Sequence, residues 1–262
     1  PVIVDNRPGA NSIVGTEALA KSPPDGYTIM VVNVSHVINP LVVPKLPFDA
    51  IRDFAPVSTL TNSRYVLTIN FSIPANNLQE FIRYAKSRPG QLNYGTSGIA
   101  SAAHLTTETL NNMLGIMMQH IPYKGGAQVL ADLVGGQVQM YLATALTTLP
   151  YITTGRIKPL AISGETRVSV LPQVPTFIEA GVPGFDAKNW FGVLAPAGTP
   201  KAIIDKLSTE IAKIIVMPDT TAKLASQGGE PFISTPEQFA ALMKADMARF
   251  AKIIKSAHIK LE

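Results

Sequence analysis

The sequence predicts an α/β protein of two lobes joined by two crossing strands, and three observations carry that prediction. Strand-like and helix-like runs alternate along the chain, the pattern of mainly parallel sheets covered by helices rather than of a sandwich or a bundle. The length, 262 residues, accommodates two compact domains. Two extended apolar segments, near 65–70 and 190–195, flank a self-contained α/β block. The first lobe is therefore expected to be discontinuous (1–66 and 192–262), with the second (67–191) inserted into it. Two crossings make a hinge, and a cleft between hinged lobes is a favoured place for a small ligand.

The elements follow in order. Pro1 to Val4 reads as a strand, Arg7 to Ser12 as a loop, and Ile13 to Ala20 as a helix that Pro23-Pro24-Asp25-Gly26 stops. Tyr27 to Val32 and Tyr65 to Ile69 are apolar runs of the kind buried on both faces. Asn77 and Glu80 stand at capping distance ahead of a helix whose apolar face is Leu78, Phe81, Ile82 and Ala85, and Pro89-Gly90 ends it. The inserted block continues through strand Leu92 to Tyr94, helix Ser101 to Leu114, strand Met117 to Ile121 and helix Ala127 to Leu133. Strands Val138 to Leu142 and Pro159 to Ser163 complete it. After a Pro- and Gly-rich stretch, Trp190 to Ala195 returns as the second crossing strand. Thr199-Pro200 opens a helix with Ile203, Ile204, Leu207, Ile211, Ile214 and Ile215 at helical spacing. Thr235 caps the last helix, with Pro236 at its first position, and Phe239, Leu242, Met243 and Phe250 face inward.

Composition removes several functions. Lys plus Arg number 22 against 18 Asp plus Glu, a net charge of +4 with no basic run, so nucleic acid is not an expected partner. The absence of cysteine excludes disulfides, thiolate metal sites and a thiol nucleophile. His36, His104, His120 and His258 show no metal-binding spacing, and no metal or cofactor is expected. No apolar stretch reaches the roughly 18–20 residues of a membrane-spanning helix.

Three segments carry candidate chemistry. Tyr94-Gly95-Thr96-Ser97-Gly98-Ile99-Ala100-Ser101 leaves a strand and enters a helix, so its first N–H groups, with the hydroxyls of Thr96, Ser97 and Ser101, can meet an anion. The plainer reading is a tight turn with Ser101 as the helix cap. The segment matches neither G-x-G-x-x-G nor the phosphate loop, which disfavours nucleotides. Ile121 to Ala127 repeats the pattern with Lys124 and Gly125 in the turn, where the lysine either neutralises an acidic ligand or is ordinary surface. Asn33-Val34-Ser35-His36 follows a strand at its carboxyl end, the ligand side of an open α/β sheet, so Ser35 and His36 are candidate donors from the first lobe. Ser101 and His104 share a helix face as a nucleophile and base would, but no G-x-S-x-G elbow is present. Asp186 suits either a ligand ammonium or solvent.

An ordered set of segments resembles one family. It comprises Asp5-Asn6-Arg7-Pro8-Gly9-Ala10, Pro24-Asp25-Gly26-Tyr27-Thr28, Leu92 to Gly98, His104-Leu105, Pro122-Tyr123-Lys124-Gly125-Gly126 and Gly135-Gly136-Gln137-Val138. It continues through Val174-Pro175-Thr176, Glu179 to Phe185 and Trp190 to Pro200. The chain is similar to the Bug-type substrate-binding proteins of tripartite tricarboxylate transport systems in Gram-negative bacteria. The resemblance implies a type II periplasmic-binding-protein fold, no enzymatic activity and a small organic carboxylate captured between the lobes. It also implies periplasmic residence, action as a monomer and delivery of the ligand to a membrane permease. The family's carboxylate grip would fall on Thr96, Ser97, Gly98 and Ser101, with Lys124 and Gly125 beside them, Ser35 and His36 on the first-lobe wall, and Thr144 as a further wall. Relative to the family's pattern the chain starts after the signal peptide, the first strand, a ligand loop and a helix, so the first lobe is expected to be an incomplete sheet with an exposed edge. Asn11-Ser12 stands where many members have a glycine pair. The rival readings are the effector-binding domain of a transcription regulator and a hydrolase using Ser101 and His104.

Overall fold

The computed structural model describes residues 2–185 and 187–256; Asp186 and His258 lie outside them. The chain runs α1 (Ile13–Ala20), β1 (Met30–Asn33), α2 (Ser35–Val42), β2 (Phe54–Ile69), α3 (Leu78–Lys86), β3 (Asn93–Thr96), α4 (Ala102–Leu114) and β4 (Gln119–Pro122). It continues through α5 (Gly126–Gly135), β5 (Met140–Thr144), α6 (Ala145–Thr153), β6 (Lys158–Ile162), β7 (Lys188–Pro196), α7 (Lys201–Ile215), α8 (Pro218–Ser226), β8 (Gly229–Pro231) and α9 (Pro236–Ser256).

One strand organises the molecule. Over Phe54–Arg64, β2 pairs antiparallel with β7, which in turn carries β1, while β8 pairs with Thr61–Ser63. From Tyr65 to Ile69 the same strand changes partners and pairs antiparallel with β5 and β6. Parallel pairing of β3 with β5 and with β4 extends this second array.

Each array is covered on both faces. Around the second, Leu67, Ile69, Tyr94 and Met140 pack against Phe81 of α3 and Leu110 of α4, whereas Val66, Tyr141 and Ala143 pack against Val129 and Leu133 of α5 and Leu149 of α6. Neighbouring residues of one strand thus enter opposite cores, as the period of two demands. Around the first, Val32, Trp190 and Leu194 meet Val37 and Ile38 of α2 and Phe239 and Met243 of α9, while Val57, Val193 and Ala195 meet Ile204 of α7. A buried polar link ties β7 to α9: Trp190 Nε1 donates to Asp246 at 2.7 Å, and Arg249 pairs with the same carboxylate at 3.0 Å.

Three expectations are corrected. The sheets are not mainly parallel: β2 pairs antiparallel with β5, β6, β7 and β8, and β1 with β7, because the long crossing strand β2 runs opposite to the strands beside it, and parallel pairing among the named strands is confined to β3 with β4 and β5. Val2–Val4 is not a strand and is almost wholly exposed, because no described strand lies beside it to supply ladder bonds. Tyr27 to Val32 is not buried on both faces: Tyr27 is 93% exposed, its N–H turned onto the Asp25 carboxylate, and pairing starts only at Met30. Among the described strands β1 bonds to β7 alone, so its outward residue Val31 stays 57% exposed while Val32 is buried.

Candidate ligand-binding site

Four strands run directly into four helices: β1 into α2 at Ser35, β3 into α4 at Ser101, β4 into α5 at Gly125 and β5 into α6 at Thr144. The carboxyl edge of such a sheet is where open α/β proteins take ligands, because unpaired first-turn N–H groups collect there. The starts of these helices adjoin one another. Ala102 N–H points at Ser35 Oγ (3.5 Å), joining the α4 start to the α2 start. Gly98 abuts the Tyr123 carbonyl in the turn before α5, and Gly126 abuts Thr147 in the first turn of α6. None of the four carries an acidic residue in its first turn, a property shared with α1 and α7, whereas α3, α8 and α9 carry Glu80, Asp219 and Glu237 there. The positive ends of the four dipoles are thus left uncancelled on one side of the molecule.

The turn before α4 is the most elaborated. Gly98 has φ 144°, a conformation that L side chains rarely adopt, and Ala100 is left-handed at φ 57°. Thr96, wholly buried, donates to Gly98 O (3.0 Å) and meets His120 Nε2 (2.6 Å). Ser101, 1% exposed, caps α4 by accepting from His104 N–H (3.2 Å). Ser97 is half-buried, and its hydroxyl has no partner among the described residues.

The hydrolase pairing has no geometric support: Ser101 Oγ meets the backbone of His104, and the His104 ring accepts from Ala100 N–H through Nδ1 (3.0 Å). Ser35 is buried at the α2 start, its own N–H held by Asn33 Oδ1 (2.9 Å). His36 turns the other way. Its Nε2–H donates to Ala50 O (2.8 Å), its ring lies against Phe48 and Phe54, and burial lowers its pKa to about 4. Lys124 is exposed and pairs with no carboxylate among the described residues; Gly125, half-buried, opens α5 with open space where a side chain would stand. Thr144 opens α6, and its hydroxyl meets that of Thr147 at 3.0 Å.

Sequence reasoning missed Asn33 and His120. An Asx-turn spacing, Asn33 two residues before Ser35, is the signal for the first; His120 has none, because its partners come from β3 and α4.

A family model described as "Tripartite tricarboxylate transporter family receptor" matches residues 1–259. The chain belongs to this receptor family. Its members are substrate-binding receptors rather than enzymes. Among solved structures of similar proteins, one titled "R. palustris Rpa4515 with adipate" is 35% identical, at TM-score 0.95, over 98% of this chain and 86% of that one. The periplasmic binding protein BugD is 30% identical at TM-score 0.92, over 98% of this chain and 87% of that one. MatC from Rhodopseudomonas palustris, with bound malate, is 29% identical at TM-score 0.86, over 94% and 85%. These receptors share the two-lobed periplasmic-binding fold, which is therefore the fold of this chain.

Proposed function

We propose that this receptor captures a small organic carboxylate between its lobes, in the periplasm and as a monomer, and presents it to the membrane permease of a tripartite-type transporter. The observation that carries the reading is the meeting of four helix starts with no acidic residue in any first turn. Such a surface stabilises an anion and repels nothing negative. The grip consists of the turn into α4, where Ile99 N–H has no partner among the described residues, the hydroxyls of Ser97 and Ser35, and the Gly125 turn, with Lys124 adding a cation at the rim. Ser101 and Thr96 act one step back, fixing the turn. His36, directed into the first-lobe core, holds the wall on which Ser35 stands, and Thr144 lines the α6 side. Charge-assisted bonds of this kind contribute about 1.5–3 kcal/mol each, so three at the upper end correspond to about micromolar capture.

The lobes in this reading are 1–66 with 192–262, and 67–191. The change of partners in β2 between Arg64 and Tyr65 supports the outgoing crossing, and the approach to β7 is the return. Adipate and malate, the ligands of two similar receptors, support the carboxylate class. The test is a thermal-shift screen of aliphatic and aromatic mono-, di- and tricarboxylates against the purified protein. A ligand at one hundred times its Kd adds about 2.7 kcal/mol, a shift of several degrees. If no carboxylate raises the melting temperature, the reading fails.

A further inference from the structure

Two imidazoles lie beneath the α4 turn. The rings of His104 and His120 stack with centroids 3.8 Å apart and planes 12° apart, and Tyr94 stacks on His120 at 5.1 Å. Each ring holds a different end of the turn: His120 Nε2 meets Thr96 Oγ1, and His104 Nδ1 accepts from Ala100 N–H. Ala100 is the left-handed residue of that turn, a conformation that costs a non-glycine residue energy and persists only where its surroundings hold it.

A ring nitrogen that accepts an N–H carries no proton, so His104 is neutral in this arrangement. We propose that His104, backed by His120, is a positioning residue of the site: its bare Nδ1 holds Ala100 in the left-handed conformation that shapes the Gly98-to-Ala102 turn and leaves Ile99 N–H without a partner among the described residues, and protonation of the ring releases the turn. This rests on the carboxylate-site reading above. Protonation replaces the acceptor by a second donor facing Ala100 N–H, and a charge on both rings would set two cations in contact. The groups facing His104 are Glu108 on its own helix, Tyr94 on β3, whose hydroxyl bonds Glu108, and His120 on β4. Glu108 favours the charged form of His104, but burial outweighs it, and the net shift is downward. His120 is lowered to about 4 by burial and by His104. The turn therefore stays locked at neutral pH and lets go only in acid.

The experiment is amide hydrogen exchange of Ala100 by NMR on the ligand-free protein, corrected for the intrinsic pH dependence of exchange. His104→Leu removes the acceptor; His104→Asn keeps an oxygen near the position of Nδ1 and does not titrate. At pH 7, His104→Leu is expected to exchange Ala100 at least about five-fold faster, the equivalent of one net hydrogen bond, with His104→Asn close to wild type. Between pH 7 and 4 the wild type loses protection while His104→Asn does not. Equal protection of Ala100 in His104→Asn, His104→Leu and wild type, or identical pH profiles for wild type and His104→Asn, overturns the proposal. Because no ligand is used, the outcome is separate from the carboxylate screen: a receptor that binds an acid yet shows no dependence on His104 keeps its binding function and loses only this mechanism.

Discussion

Acidification tests the placement of His36 directly. The ring is 3% exposed, set against Phe48 and Phe54, and gives its one donor to Ala50 O. Burial takes its pKa from the ordinary 6.5 to about 4, a preference for the neutral ring of about 3 kcal/mol. As pH falls, the unfolded chain takes up the proton first. The contribution of the neutral ring is therefore complete above 6.5, declines as pH drops below it, and is gone below about 4. By pH 4.5 most of that contribution, about 2–3 kcal/mol, is lost. His36→Gln keeps an N–H donor for Ala50 and cannot ionise, so it removes this pH dependence and little else. Urea unfolding of both proteins at pH 7.5 and 4.5 gives the difference in stability at each pH, which cancels every other titrating group. The wild type is expected to be the more stable at 7.5 and to lose about 2–3 kcal/mol relative to His36→Gln by 4.5. A difference that stays constant within about 0.5 kcal/mol refutes the buried, neutral histidine.

Three further outcomes are expected. Ser101→Ala should lower stability by about 1 kcal/mol and Ser101→Gly by only a few tenths, the ranking of a helix cap, read from chemical denaturation. Gly192→Ala should cost about 1–3 kcal/mol in the same assay, because its methyl would stand 2.4 Å from the Phe239 ring and 3.1 Å from the Ser58 carbonyl. Lys124→Gln should leave stability within about 0.5 kcal/mol of wild type while weakening the affinity for any carboxylate found in the screen, measured by calorimetry.

Legibility in the sequence followed how local each signal was. The α3 start was readable because its capping bonds are complete within five residues: Glu80 N–H donates to Asn77 Oδ1, and the Glu80 carboxylate reaches back to Asn76 N–H. The last helix was readable for the same reason, through Thr235 and Gln238. The first two-thirds of β2 was not. Ser58, Thr59, Thr61 and Ser63 are buried although polar, and Ser58, Thr61 and Ser63 find their acceptors, the carbonyls of Ser234, Glu230 and Gly228, some 170 residues on. The helices α2 and α6 were hidden by Pro40 and Pro150 within segments only 8 and 9 residues long. At the site, the glycine turns before α4 and α5 announced themselves, whereas the direction of His36 depends on Phe48 and Phe54, which its own neighbourhood does not reveal.

The partner change within β2 also gives an expectation for the order of assembly. The strand partners of Tyr65–Ile69 lie between it and Ser163, so the inner array can form from one unbroken stretch of chain. Phe54–Arg64, by contrast, must wait for Lys188–Pro196, separated by more than a hundred residues. Contacts of such separation form late and slowly. On that ordering the inner array is expected to form first, and the outer sheet to complete on a strand already fixed at one end. Destabilising the inner array should delay completion of the outer sheet, while lesions confined to the outer sheet should chiefly hasten its opening.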